Sequence, residues 1–482
     1  MIIKDLEPKL VWNYFHEITR VPRPSKKEGK IIKYVEEVAA RHGIALKKDR
    51  AGNLLLFKPA TEGLEHLPTV ILQAHLDMVC EKNGNVRHDF DSDPITTVVD
   101  GEWLRAEGTT LGADNGIGLA AALAIITSGD IEHGPLECLF TVDEETGLTG
   151  AKALEEGFMT GRILLNLDSE DEGQIFIGCA GGKGTVATFT GEAATAPVSE
   201  QYFRLTVTGL NGGHSGCDIH KGRGNANKIL VRFLYRLQEK HPFTLASIEG
   251  GNLHNAIPRE ASAVVGLSAG IREDVRVMLN HFAADIENEL RGVDGDVRLV
   301  MESTDVPATC LPGALKEKLI LSLLACPHGV VSMSRDVEGL VETSTNLASV
   351  KMSGPSEIIV GTSQRSSTES EKNAVADQVA SVFLLAGAKV EHGEGYPGWK
   401  PDPSSKILRT AQESYKRLFG KDALIMAIHA GLECGLFLEK YPHLDMISFG
   451  PTLRDVHSPD ERIEIKTVAL WWEHLLDILR NV

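Results

Sequence analysis

Four apolar runs in this chain stop abruptly at ionisable residues, and that pattern restricts the fold more than any other feature. Val70-Ile71-Leu72-Gln73-Ala74 ends in His75-Leu76-Asp77, and the run 136–142 ends in Asp143-Glu144-Glu145. The run 163–167 ends in Asp168, and 444–449 leads through a loop to His457. Helix-forming stretches at 117–127 and near 150–157 alternate with these runs. Such alternation implies an α/β domain with a mostly parallel sheet and helices on both faces. Open parallel sheets bind ligands beyond the carboxyl ends of their strands. Residues two apart on a strand share a face, so His75 and Asp77 are expected side by side at a strand tip.

At 482 residues the chain exceeds what one hydrophobic core organises, and two domains are expected. The alternation breaks near 175–190 and resumes with the helix 404–419. Residues 1–183 and 398–482 therefore read as two parts of a catalytic domain. Residues 184–397 read as an inserted α+β domain, with Pro397-Gly398-Trp399-Lys400-Pro401 as the return hinge. Ser25 is expected to cap the second helix, with Glu28 completing a capping box. Residues 81–110 read as a polar connection. Gly181–Gly184 reads as a β-turn, because it lacks the spacing of a phosphate-binding loop. Ser363–Ser367 reads as a polar loop.

The net charge of −18, from 67 acidic and 49 basic residues, argues against nucleic acid or an anionic membrane as partner. No apolar stretch reaches the ~20 residues of a membrane span, and the N-terminus lacks a signal-peptide pattern. The seven cysteines are odd in number, scattered and without a Cys-x-x-Cys pair. A reduced, cytoplasmic protein with thiols serving as small core residues is the expectation.

His75, Asp77, Asp114, Glu144, Glu145, Asp168 and His457 all fall at strand tips or, for Asp114, at a helix start. Each motif alone has an ordinary explanation as a turn, a cap or a solvated acidic face. Together they give two imidazoles and several carboxylates without sulfur. That set suits two divalent ions of the zinc, cobalt or manganese type better than a structural zinc site. Two bridged metals form a hydrolytic centre, for which one carboxylate must stay free as general base.

These residues carry a resemblance. Ala74-His75-Leu76-Asp77, Gly112-Ala113-Asp114-Asn115-Gly116, Asp143-Glu144-Glu145-Thr146-Gly147, Asn166-Leu167-Asp168 and Asp455-Val456-His457-Ser458-Pro459 resemble, in order, the motifs of the di-zinc exopeptidases. That family includes aminoacylases, carnosinases and desuccinylases. The chain is most similar to its bacterial aminoacyl-histidine (Xaa-His) dipeptidase branch. The resemblance implies a zinc-exopeptidase catalytic domain, an inserted lid domain and two metal ions, with zinc expected and cobalt or manganese also suited. It implies Asp114 as the bridge, His75 and Asp168 on one ion, and Glu145 and His457 on the other. Glu144 would be the general base and Asp77 the partner that orients His75. In the insert, Asn211–Gly216 resembles the lid histidine loop, with His214 as oxyanion donor. Asn255 and Gly431 are expected near substrate, and Arg365 is expected to hold its carboxylate. The implied activity is hydrolysis of small dipeptides such as β-alanyl-histidine, in a homodimer. Aminoacylase, desuccinylase or tripeptidase activity is the alternative. A binding protein with a relic metal site is disfavoured, because binding requires ligands but no spare base such as Glu144.

Overall fold

The structure is a computed structural model that describes residues 3–354 and 356–482. The chain divides into two compact units. The first comprises Met1–Gly178, Pro401–Ala427 and Leu432–Val482, and the second comprises Cys179–Lys400 and Ile428–Gly431.

The first unit is built on an eight-stranded sheet. Its centre is parallel: Leu136–Thr141, Val70–His75, Ile163–Asn166 and Asp445–Ser448 run side by side in that order. Ala45–Lys48 and Leu54–Lys58 add antiparallel strands at one margin, and Gln174–Cys179 does so towards the other. The expected α/β class with a parallel sheet is therefore borne out in the strands that carry the polar tips. All six residues of Val70–His75 and of Leu136–Thr141 are buried, as strands covered on both faces must be. The Ala113–Thr127 helix is apolar almost all round, so it cannot lie on a surface. It packs against the Val70–His75 strand and the Lys9–Ile18 helix. A separate four-stranded sheet uses Thr97–Asp100 and Trp103–Ala106, a hairpin inside the segment expected to be a plain connection. The polar residues of that segment hide the alternation, but Leu104 and Ala106 give the second strand its buried face.

The second unit is an antiparallel nine-stranded sheet packed with the helices Ala226–Lys240, Arg272–Glu289, Gly313–Ala325 and Glu369–Leu385. Its core is a continuous apolar cluster that includes Phe203, Phe233, Phe282 and Phe383. Gly181–Gly184 is not a turn but the start of the ten-residue strand Gly181–Thr190. A Cβ on Gly181 or Gly182 would come within 2.6 Å of Pro397 or Tyr396 atoms, so the glycines serve close approach of two chain segments. Likewise Ser363–Ser366 belongs to the Glu357–Ser366 strand, not to a loop.

Among the described residues, no helix is long and apolar enough to cross a membrane. None of the seven cysteines is half of a disulfide among the described residues. Five are buried as expected and Cys80 is half-buried, but Cys217 is exposed, so its thiol is not a core filler.

One packing feature has a measurable pH signature. His474 is buried; its Nε2 lies 2.8 Å from the Ala411 carbonyl oxygen, and its ring packs on Tyr415 and Phe449. Burial pushes its pKa from 6.5 down to about 4. Between these values the unfolded chain binds a proton that the folded chain refuses, so stability falls as pH drops from 6.5 to 4. At about 1.4 kcal/mol per pH unit, the loss from this residue amounts to about 2–3 kcal/mol. His474→Gln keeps a donor towards Ala411 and should flatten the decline of melting temperature over that interval. An unchanged slope would show that His474 does not titrate this way.

Candidate metal centre

The parallel strand tips of the first unit bring five expected ligands together. His75 Nε2 lies 3.1 Å from Asp114 Oδ1 and 3.6 Å from Asp168 Oδ1. His457 Nε2 lies 3.1 Å from Asp114 Oδ2 and 3.1 Å from Glu145 Oε2. Asp114 thus presents one oxygen to each imidazole, the disposition a bridging carboxylate needs. One ligand atom from each of His75, Asp114 and Glu145 falls within a 4.8 Å group that could hold a metal ion. His457 sits in left-handed backbone with φ +62°, a conformation uncommon for a non-glycine residue and concentrated at functional sites.

Asp77 does more than face His75. Its Oδ1 lies 3.4 Å from His75 Nδ1 and accepts from the Glu144 N–H at 3.0 Å. Its Oδ2 accepts from the Glu145 N–H at 3.2 Å and from the Ser25 hydroxyl at 2.8 Å. One buried carboxylate therefore fixes an imidazole and the backbone of the Glu144-Glu145 pair. The Asp77 contact corrects the reading of Ser25: the Gly29–Arg41 helix has no side-chain cap, and Ser25 is spent on Asp77. The Asn115 side-chain amide donates to the Leu167 carbonyl and to Asp168 Oδ1, holding Asp168 in place.

The electrostatics of the cluster call for added positive charge. Burial opposes charge on His75, but Asp168, Asp114 and Asp77 hold its pKa well above the usual value. Hydrogen bonds to Asp114 and Glu145 raise His457 to about 11. Burial also opposes charge on Asp114, yet the two imidazoles drive its pKa far down. Burial and the neighbouring acids push Asp168 and Glu144 well up. Glu145 Oε1 is buried and has no hydrogen-bond partner. A divalent ion displaces such protons and satisfies such an oxygen, so the residues present fit a metal centre.

Beneath the ligands lies a buried polar layer. Glu433 Oε2 accepts from Gln73 at 2.6 Å and from the Thr141 hydroxyl at 2.8 Å. Gln73 Oε1 accepts from Asn166 at 2.5 Å, and Asn166 Oδ1 from Ser448. Gln73 and Asn166 stand two residues before His75 and Asp168 and so share their faces. Burial raises Glu433 to about 7. A buried glutamate in a chain this acidic gave no signal in the sequence.

In the second unit Arg365 and Gly431 adjoin Tyr396, and His214 lies beside Arg365. Arg365 is buried; its Nη1 donates to the Tyr396 hydroxyl at 2.8 Å and its Nε to Ser215 at 3.4 Å. Its Nη2 lies 3.4 Å from His214 Nε2. His214 Nδ1 accepts from the N–H groups of Gly216 and Cys217 at 3.3 and 3.0 Å. Burial and Arg365 lower His214 to about 4, so the ring is neutral and its proton sits on Nε2. Two donors, Arg365 Nη2 and His214 Nε2, therefore converge without an acceptor between them, which is the chemistry of an anion site. His214 pairs with Ala256 on a short ladder, and the Asn255 carbonyl accepts from Ser215 N–H at 2.8 Å; the Asn255 residue itself is exposed. A Cβ on Gly431 would lie 2.8 Å from the Tyr396 ring, so only glycine fits there without a shift.

The sequence model of peptidase family M20/M25/M40 matches residues 71–481. The chain is 42% identical over 480 residues to the cytosol non-specific dipeptidase of Escherichia coli, covering 100% of this chain and 99% of that protein. The crystal structure of an aminoacylhistidine dipeptidase from Vibrio alginolyticus superposes with a TM-score of 0.93 at 44% identity, over 100% of this chain and 98% of the other. Aminopeptidase PepT from Bacillus cereus shares the fold, with a TM-score of 0.59 at 16% identity and 99% of each chain covered.

Proposed function

The chain belongs to peptidase family M20/M25/M40, and from that premise we propose that it is a metal-dependent dipeptidase with the following division of labour. The observation that carries the reading is Asp114, whose two oxygens face two different imidazoles in a carboxylate-rich pocket. Asp114 would serve both ions, with His75 and Asp168 holding one and Glu145 and His457 the other. Zinc is the assigned metal, since imidazole and carboxylate together suit it, with cobalt or manganese able to substitute. When bound, the ions supply Lewis acidity to the scissile carbonyl and acidity to the attacking water.

The chain's own residues do the rest. Glu144 takes a proton from the attacking water and returns it to the leaving amine. Asp77 keeps His75 in register and anchors the Glu144 backbone. His214 donates from Nε2 to the carbonyl oxygen as it gains charge, which the fixed tautomer supports. Arg365 takes the terminal carboxylate of the substrate. Tyr396 braces the guanidinium, and Asn255 and Gly431 border the substrate.

The Escherichia coli and Vibrio alginolyticus relatives are named as a non-specific and an aminoacylhistidine dipeptidase. Substrates here are accordingly dipeptides, Xaa-His among them. The setting is cytoplasmic, as that of the Escherichia coli relative is named, and the assembly a homodimer. The reading is tested with a panel of β-alanyl-histidine, other Xaa-His and unrelated dipeptides, N-acyl amino acids and C-terminally amidated dipeptides. Dipeptides with a free carboxylate should be cleaved fastest; a preference for N-acyl amino acids would overturn the reading.

Arg365→Ala gives a sharper outcome. A hydrogen bond to a charged group is worth about 1.5–3 kcal/mol, so KM for free dipeptides should rise about 10- to 100-fold. The kcat should change less, and amidated dipeptides should be affected little. Equal losses on free and amidated substrates would remove Arg365 from the carboxylate.

A further inference from the structure

Two buried side chains outside the ligand set hold the segment that carries Asp114. Glu461 is 2% exposed and accepts four consecutive backbone N–H groups. Its Oε2 takes Leu111 and Gly112 at 2.8 and 2.9 Å, and its Oε1 takes Ala113 and Asp114 at 2.7 and 3.4 Å. Arg23, also 2% exposed, meets the same segment through a carbonyl. Its Nη2 donates to Gly112 O, while its Nη1 donates to Leu76 O at 3.0 Å and to Asp77 O.

Gly112 is thus gripped at both backbone atoms, by a carboxylate at its N–H and a guanidinium at its C=O. The grip demands glycine: φ is +69°, and a Cβ would lie 2.6 Å from Arg23 Nη2 and 2.8 Å from Met78 Sδ. The tie is needed because Asp114 lies outside helical geometry, at φ −80° and ψ 113°. Leu76 and Asp77 directly follow His75, and Glu461 stands four residues after His457. Two side chains therefore join the three segments that carry His75, Asp114 and His457.

We infer that Glu461 is a positioning residue that sets the spacing of the two metal positions, by tying the bridging Asp114 segment to the His457 loop, while Arg23 ties that segment to the His75 strand. The inference rests on the metal-centre reading above. It requires a carboxylate at 461, because four donors converge there and an amide would turn its own N–H groups against two of them. Loss of Glu461 releases the His457 side and leaves the His75–Asp168 side held by Arg23 and Asn115.

The test is Co2+ titration of the metal-free full-length chain, followed by visible absorption and by calorimetry. The wild type should bind two ions. In Glu461→Gln one binding step should weaken about 10- to 100-fold, the range for lost support of a ligand, while the other stays near wild type. Glu461→Asp keeps the charge with a shorter reach and should fall between them; if the Gln variant does not fold, the Asp variant carries the test. In a His457→Ala background the weakened step is already lost, so Glu461→Gln should add little. Two unchanged steps, two equally weakened steps, or a full additional loss in the His457→Ala background would overturn the inference. A wild type that fails to bind two ions would instead overturn the metal-centre reading.

Discussion

Glu144→Gln should lower kcat by about two to four orders of magnitude while leaving two ions bound. The amide keeps the size and placement of the carboxylate but cannot accept the proton of water, and a positioned general base is worth about 10²–10⁴-fold. The backbone at this position is fixed independently by Asp77, whose oxygens hold the N–H groups of both Glu144 and Glu145. The substitution should therefore leave Glu145 and the metal positions undisturbed. The measurement pairs steady-state kinetics on a dipeptide with metal content per chain. A variant that keeps the metals and near-normal kcat would remove Glu144 as the base. One that loses the metals would make it a ligand.

Asp114→Ala should abolish activity by a different route. Its two oxygens face His75 and His457 separately, so the substitution strips one ligand from each metal position at once. Affinity at both positions should fall by about 100-fold or more, beyond what loss of an outer-sphere partner costs. His457→Ala and Asp168→Ala should each weaken one position and spare the other. Calorimetric metal titration distinguishes the patterns: two weakened steps for Asp114, one for either of the others. If Asp114→Ala weakened a single step, it would be a terminal ligand and not a bridge.

The contrast between what the sequence made legible and what it hid has physical causes. Parallel strands covered on both faces are predominantly apolar, so the tips at His75, Asp143–Glu145 and Asp168 stand out against Val70–Ala74, Leu136–Phe140 and Ile163–Leu165. The strand Val341–Met352 was invisible for the opposite reason: Thr343, Ser344, Thr345 and Asn346 are buried but polar, and hydrogen bonding to neighbours replaces the apolar signal. Arg365 and Ser366 read as loop residues on the same ground, although they pair across the sheet with Ser344 and Thr343.

Side-chain assignments failed where a local pattern had a long-range owner. Ser25 and Glu28 match a capping box, yet Ser25 donates to Asp77 and Glu28 accepts from Asp143 N–H. Arg23, Glu433, Glu461 and Tyr396 carry no motif of their own. Arg23 reads as part of the Pro22–Ser25 break between two helices, Glu433 and Glu461 as ordinary acids in an acidic chain, and Tyr396 only as the residue before the hinge that begins at Pro397. Only the three-dimensional arrangement shows that each holds a member of the site. The proposed ligands stand out because metal chemistry restricts residue types; the residues that support them do not, because a backbone N–H can donate to almost any carboxylate.

The central claim is that a two-ion centre at the strand tips of the first unit hydrolyses dipeptides. Its most direct test is stepwise Zn2+ addition to metal-free protein with β-alanyl-histidine hydrolysis read at each step. Activity should be absent without metal, rise as ions bind and reach its plateau at two ions per chain. Full hydrolysis by the metal-free chain, or none with both ions bound to Asp114 and its partners, would contradict the account.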